Sequence, residues 1–586
     1  MAGSAVRVLG TALGTALADG YTPVLHPWGN TGRGRLRHGD RAQAPEQRRP
    51  ISLAGSLKSG VPVSVRRSAL LLITASVLLT ACDDPPNRET TAPPPPGADK
   101  VVPLWGVFEA TLTNSREYAD PFNETELLAT FTAPSGKEYS FFGFYDGDGA
   151  GGQEGPIWRI RFMCLEEGAW TWSAEFTDGA PGAGGEFECL GDGVTPPLRV
   201  HPTNPRWLVR EGAGPFLPRW FYLHDLLFTP GDTWRQDVRE HLIDRGYNMV
   251  SILTTQADHL LENGWNRRRY DRRRFYPWLR EGERVLWNRY DLRSWRKLDE
   301  VLRHLQEHGI YVYLFDGFFP NIPPRFPDDP ELERRYLRYA MARIGAYSNL
   351  IHNLTFEFWE FMSLDRVKRI GSYLESIDPF GLLTTVHDTQ DAGELLDESW
   401  LDLANLQYDA GRAAGADLAY RFVTEHYRGK PVAATEVVWE GAHKLTADQV
   451  RRGAWGITLA GGFFLYGEFD LDGEGIGPHG KGGAHDDLAI LYDFMASVPF
   501  TEMVPSPDLV SPGALCLADP GREYIVYLEN GGPVEVDLTG AEGTLRAEWL
   551  DPRSGARTAI AAEIPGGGIR RFEKPAGADW VLHIYR

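Results

Sequence analysis

At 586 residues, with 42% hydrophobic side chains, the chain is too long for one core and has ample apolar material for several domains. Its formal net charge of −20 argues against nucleic acid, whose phosphates demand a basic face, and fits a soluble acidic surface. The 18 Trp exceed what packing usually needs, and flat rings are also what sugar faces stack on.

Residues 1–65 are rich in Gly, Arg, Pro and Ala and lack clear periodicity. They precede a signal-like segment, which suggests a misassigned upstream start, with a disordered leader as the alternative. The stretch "RRSALLLITASVLLTAC" sets Arg66 and Arg67 before an apolar core too short for a comfortable membrane span. Its ending, Leu79-Thr80-Ala81-Cys82, resembles the bacterial lipobox, with an ordinary short membrane anchor as the alternative. That resemblance implies a lipid on Cys82, loss of residues 1–81, and a place in the bacterial cell envelope, periplasmic or at the surface, with the lipid as the only membrane contact. Residues 83–100 then read as a Pro-rich tether.

From residue 101 to 200, short alternating runs such as "LWGVFEATLT", "YSFFGFYDG" and "AWTWSAEFTD" predict a β-sandwich of about a hundred residues. Cys164 and Cys189 fall on two of its strands and suit a disulfide in an oxidising compartment, with two buried thiols as the alternative. Cys516 has no evident partner.

From 201 to 500 the texture is strand, loop, helix, repeated. Eight strand candidates begin near Phe221, Tyr247, Ile310, Leu350, Leu382, Leu403, Val432 and Phe463. That alternation suits a parallel (β/α)8 TIM barrel, and no Gly-rich phosphate loop follows the first strand to favour a nucleotide-binding sheet. The first helix, "WRQDVREHLIDRG", should bury Val238, Leu242 and Ile243. From 501 to 586 the texture returns to β, predicting a second sandwich.

In a parallel barrel the functional face lies at the strand C-termini. His224, Asp225, Asp316, Glu357, His387, Asp388, Gln407, Tyr408, Glu436, Tyr466 and Glu468 gather at those ends. Glu357 should end a strand running from Asn349 to Phe356, and Glu436 should end "KPVAATE". A lone carboxylate there is costly unless paired, and paired carboxylates are what glycosidic cleavage needs. The competing reading is a structural ion pair with Arg for each. Phe356, Phe358 and Trp359 would raise the Glu357 pKa toward that of a general acid.

"GAYSNLIHNLTFE" resembles the fourth-strand segment of retaining (β/α)8 glycoside hydrolases, and "GKPVAATEVVWEG" resembles their seventh-strand segment. With the flanking sandwiches, these motifs look like the apiosidase-like hydrolases, with an immunoglobulin-like N-terminal domain and a C-terminal module labelled "putative collagen-binding domain". The resemblance implies Glu357 as acid/base and Glu436 as nucleophile, kept ionised by hydrogen bonds with Tyr408 a donor, and a poly- or oligosaccharide substrate. Asp225, Trp359, Glu360, His387, Tyr408, Trp439 and Glu440 are the substrate-binding candidates: Trp359 and Trp439 as sugar platforms or core, Glu440 on a sugar hydroxyl or facing solvent. No cofactor and no metal is expected. The chain departs from the family where Phe356 replaces the Asn before the acid/base and His352-Asn353 replaces a Trp-Glu pair. Two other functions compete: a non-catalytic carbohydrate-binding lipoprotein, and metal-assisted hydrolysis by His224, Asp225, His387 and Asp388, which lacks a supporting motif spacing.

Overall fold

The computed structural model describes residues 100–586 apart from 192, 224, 230, 256–274, 283, 322, 390–392, 408–414, 470, 472–480 and 576. Cys82 and its lipobox, His224 and Tyr408 therefore lie outside the described residues.

The N-terminal region is strand-rich. Lys100–Pro103, Ala183–Leu190, Gly168–Phe176, Leu127–Thr132, Glu138–Tyr145, Ile157–Met163 and Val107–Thr113 are neighbours in that order. Glu138–Tyr145 pairs first with Leu127–Thr132 and then, at its end, with Ile157–Met163, so the sheet turns a corner. Period-two burial puts one face inward. There Phe108 stacks on Phe187 at 4.1 Å and Phe131 on Phe162 at 4.3 Å, each pair joining strands that are not neighbours. Cys164 and Cys189 are disulfide-bonded, with Cα atoms 6.3 Å apart. A small sheet, Leu198–Val200, Leu208–Arg210 and Gly214–Phe216, straddles the boundary expected at Val200.

Eight parallel strands follow: Trp220–Tyr222 (β1), Met249–Ile252 (β2), Tyr311–Leu314 (β3), Leu350–Asn353 (β4), Thr384–Thr385 (β5), Ala404–Gln407 (β6), Val432–Glu436 (β7) and Gly462–Tyr466 (β8). Their spatial order is β5-β4-β3-β2-β1-β8-β7-β6, and a parallel bridge between Thr385 and Leu403 links the two ends. The result is a near-closed parallel barrel. Its inside is filled rather than hollow: Asn405 donates to Tyr313 Oη at 2.7 Å, and Trp220 Nε1 donates to Ser251 Oγ at 2.9 Å. Helices return the chain between strands, among them Leu292–Glu307, Pro330–Ile344, Leu364–Ile377, Ala416–His426 and Ala447–Leu459. The first crossover corrects an expectation. Helix Thr233–Val238 continues as a π-turn over Arg239–Ile243, whose wider ring shifts the face, so Val238 and Leu242 are buried but Ile243 is exposed.

Buried charge ties the N-terminal sheet to the barrel helices. Asp299 accepts from Arg161 Nη1 and Arg343 Nη2, both at 2.8 Å, while Arg343 Nη1 reaches Asp146 at 2.8 Å. At the other end of the chain, Leu515–Asp519, Glu523–Leu528, Trp580–Tyr585, Thr544–Leu550 and Arg557–Pro565 form most of a six-stranded sheet over a core including Tyr524, Val526, Trp549 and Leu582. It docks through Tyr527, whose ring stacks on Trp455 at 5.8 Å, and through Asp579, which pairs with Arg451 at 2.9 Å.

Candidate active site

The two glutamates reach the barrel mouth by different backbone routes. The β4 strand ends at Asn353, three residues before the expected Phe356. The Asn353 amide takes the Leu314 and Phe315 carbonyls at 3.1 and 2.8 Å, and past it only Thr355 still bridges, to Phe319. Glu357 therefore does not end the strand. It sits in the left-handed region at φ 47° and heads the single turn Phe358–Glu360. A non-glycine residue there costs roughly 1 kcal/mol or more, and such strain concentrates at functional sites.

Glu436 does end β7, through a bulge. Pairing with β6 runs in step to Leu406↔Ala434 and then slips, so that Gln407 pairs with Glu436. Strict alternation would send Thr435 and Glu436 to opposite sides. With the slip, Thr435 hydrogen-bonds Asn405 inside the barrel, while Glu436 Oε2 lies 3.8 Å from His387 Nε2.

Their surroundings differ. Glu357 is 2% exposed; its Oε1 accepts from Gln407 Nε2 at 2.9 Å, and its Oε2 faces Asn321 Nδ2 at 3.5 Å. Burial pushes its pKa up to about 7, with the neighbouring Glu360 charge adding and the two amides opposing. Among the described residues Glu436 has no such support: its Oε2 has no hydrogen-bond partner, and burial, the Glu357 charge and the Asp388 charge all push its pKa well up. Tyr408, the expected donor to Glu436, lies outside the described residues. His387 does not supply a cation, because complete burial holds its imidazole down at about 3.

Aromatic rings wall this cluster. Phe356 meets the His387 ring at 4.6 Å and Phe315 at 5.1 Å; Phe315 meets Tyr222 at 4.7 Å, and Tyr222 stacks on Trp439 at 4.8 Å. Trp439 is buried and donates to the Thr435 carbonyl, which makes it part of the wall rather than an open platform. Trp359, two residues from Glu357 and in the turn it heads, is exposed, at 50%. Glu360 is held by Asn321 at 2.8 Å and Arg325 at 3.2 Å. Asp225 is buried at the end of β1.

Glu440 neither faces solvent nor has a free oxygen for a sugar. Its oxygens accept from Tyr466 Oη at 2.6 Å and from the Gly483 and Ala484 N–H groups, holding the start of helix Ala484–Ala496. Glu468 is similarly engaged, with His485 Nε2 at 2.7 Å, and Asp316 binds Thr254 and Thr255 at the end of β2. Among the described residues no group of three His, Cys, Asp or Glu side chains is placed to hold a metal ion. Sequence reasoning noted Gln407 as a polar strand end but missed its contact with Glu357. It missed Asn321 and Arg325 altogether, since both sit in a loop without pattern.

A near-closed parallel barrel thus carries one glutamate just after its fourth strand and one at the end of its seventh. Comparison with known proteins sets this barrel beside glycoside hydrolases. Residues 232–471 match the model "Apiosidase-like, catalytic domain", residues 101–177 match "Domain of unknown function (DUF5060)", and residues 508–584 match "Putative collagen-binding domain of a collagenase". Residues 232–471 are thus similar to an apiosidase-like catalytic domain. A structure titled "putative glycoside hydrolase" from Bacteroides vulgatus is 17% identical with a TM-score of 0.67, covering 83% of this chain and all 100% of its own. Another, titled "Glycoside hydrolase", is 19% identical with a TM-score of 0.53, over 67% of this chain and 97% of its own. A glycoside hydrolase family 5 structure from Bacteroides vulgatus is 19% identical with a TM-score of 0.51, over 66% and 92%. At these identities the likeness is one of fold. No curated protein matches the chain.

Proposed function

We propose that this protein is a retaining glycosidase acting on a poly- or oligosaccharide, built as a (β/α)8 TIM barrel at about 201–500 between an immunoglobulin-like sandwich and a C-terminal one. The observation that carries the reading is the pair itself, in an aromatic-walled mouth: the buried Glu357 just past β4, and Glu436 at the end of β7 with its Oε2 buried. Burial raises the pKa of both, and the Glu357 charge raises that of Glu436 further. In the first step the Glu436 carboxylate attacks the anomeric carbon. The glycosidic C–O bond breaks, and Glu357 gives its proton to the leaving oxygen. In the second step Glu357 takes a proton from water, whose oxygen attacks the same carbon and frees Glu436. With a pKa raised to about 7, Glu357 is still substantially protonated near neutrality, as a general acid requires. Among the described residues only Glu357 has amide donors, so the electrostatics favour a proton on Glu436. A sugar hydroxyl donating to the open Oε2 would supply what Glu436 lacks and hold it ionised for attack.

The test is hydrolysis across a polysaccharide and aryl glycoside panel by the wild-type chain, Glu357→Gln and Glu436→Gln, with product anomers followed by NMR. Retention of configuration, and loss of turnover on natural linkages in both variants, is the expected result; azide should partly rescue Glu436→Ala with inverted product. Turnover by Glu436→Ala without added nucleophile would overturn the assignment. We also propose that Cys82 carries lipid and anchors the mature protein to the bacterial envelope. Intact-mass spectrometry that finds an unlipidated N-terminus upstream of Arg66 would refute this.

A further inference from the structure

We infer that Gln407 is a positioning residue whose single side-chain amide holds Glu357 with its N–H and keeps its carbonyl available to His387, the imidazole that faces Glu436; as a statement about catalysis this rests on the roles proposed above. The β6–β7 bulge sets Gln407 level with Glu436. From there Gln407 Nε2 donates to Glu357 Oε1 at 2.9 Å. The other end of the amide, Oε1, is buried without a hydrogen-bond partner among the described residues, on the residue level with Glu436, whose Oε2 lies 3.8 Å from the His387 ring. Among the described residues both His387 nitrogens are likewise buried and unpartnered, as is Glu436 Oε2, 3.8 Å from His387 Nε2. A neutral imidazole carries one N–H, and a buried donor with nothing to bind costs about 1–3 kcal/mol. A small side-chain rotation gives that N–H the Gln407 carbonyl or the Glu436 carboxylate.

An amide suits this position for a definite reason. It donates to one neighbour and accepts from another without bringing charge. A carboxylate at 407 would repel Glu357 and Glu436 together, and an aliphatic side chain would leave Glu357 Oε1 bare. The remaining groups facing the pair do not replace it. Asn321 and Glu360 lie on the other oxygen of Glu357, Phe315 and Phe356 bracket the His387 ring, and Asp388 lies on the Glu436 side.

The test is NMR titration of the full chain, labelled with 13C at Glu carboxyls and His rings, in wild type and Gln407→Leu. Gln407→Met serves as a second variant should Leu prevent folding, and Glu357→Gln and His387→Gln assign the signals. Removing an amide that donates to Glu357 and keeps its carbonyl available to His387 should move their midpoints in opposite senses: Glu357 further up, His387 further down. A variant that merely loosens the site and admits water would do the reverse, Glu357 falling toward its ordinary value and His387 rising. That result, no movement, or any combination other than the expected one overturns the inference. If the chain folds but hydrolyses nothing on the panel, the catalytic reading fails while the titration result stands.

Discussion

Glu357 should destabilise the protein it serves, and by an amount the structure sets. Its carboxyl is raised from 4.5 to about 7, chiefly by burial, and the residue is 2% exposed, so little solvent screening reduces the effect. A raised carboxyl binds its proton more tightly folded than unfolded. The folded state therefore bears no penalty below about pH 4.5, and loses stability as pH rises through 7. At 1.36 kcal/mol per pH unit, the full loss is about 3 kcal/mol. Glu357→Gln keeps the shape and an acceptor for Gln407 Nε2 and removes the ionisation. The variant should match wild type at pH 4 and exceed it at pH 8.5 by up to about 3 kcal/mol, a rise of about 2–4 °C in Tm for a chain of this size. Thermal denaturation at the two pH values is the assay. Equal stabilisation at both, or a less stable variant at pH 8.5, would refute the reasoning, because either would mean that Glu357 ionises without cost in the fold.

Three further outcomes follow from packing and charge. Asp299→Asn should lower stability by about 3–5 kcal/mol in urea unfolding, since Arg161 and Arg343 are left buried without their shared counter-charge; a loss below about 1 kcal/mol would refute it. Replacing Cys164 and Cys189 by Ser should cost about 3–4 kcal/mol by loop entropy for a separation of 25 residues, read as the same loss on reducing the wild type. Gly371→Ala should destabilise helix Leu364–Ile377 by about 1–3 kcal/mol, because the new Cβ would lie 2.3 Å from the Trp400 ring; stabilisation of about 1 kcal/mol, the helix-propensity value, would show that the ring moves aside freely.

Much of the frame is legible in the linear order of residues. Alternating strand and helix texture across 201–500 yields eight parallel strands, because each return by a helix leads to the neighbouring place in the sheet and its handedness leaves little choice. Period two marks the flanking strands for the same local reason: a pleat faces its side chains alternately. The position of an acidic residue after an apolar run is likewise visible, and "NLTFE" and "VAATE" both show it.

The site is different, because its contacts join residues whose relation no local period encodes. The Asn353 amide takes carbonyls from β3, so β4 stops early and Glu357 turns in a left-handed conformation that "NLTFE" does not announce. A slip of one residue between β6 and β7 brings Glu436 level with Gln407, where alternation alone would have turned it away. Gln407 meets Glu357 across 50 residues of chain, and Glu440 turns its carboxylate inward to hold residues 483 and 484. Period and composition follow from each residue's own backbone and its near neighbours, so they can be read one segment at a time. Register, bulges and the charge environment of a buried carboxyl depend on which strands the closed barrel sets side by side, and only the packed tertiary structure decides that.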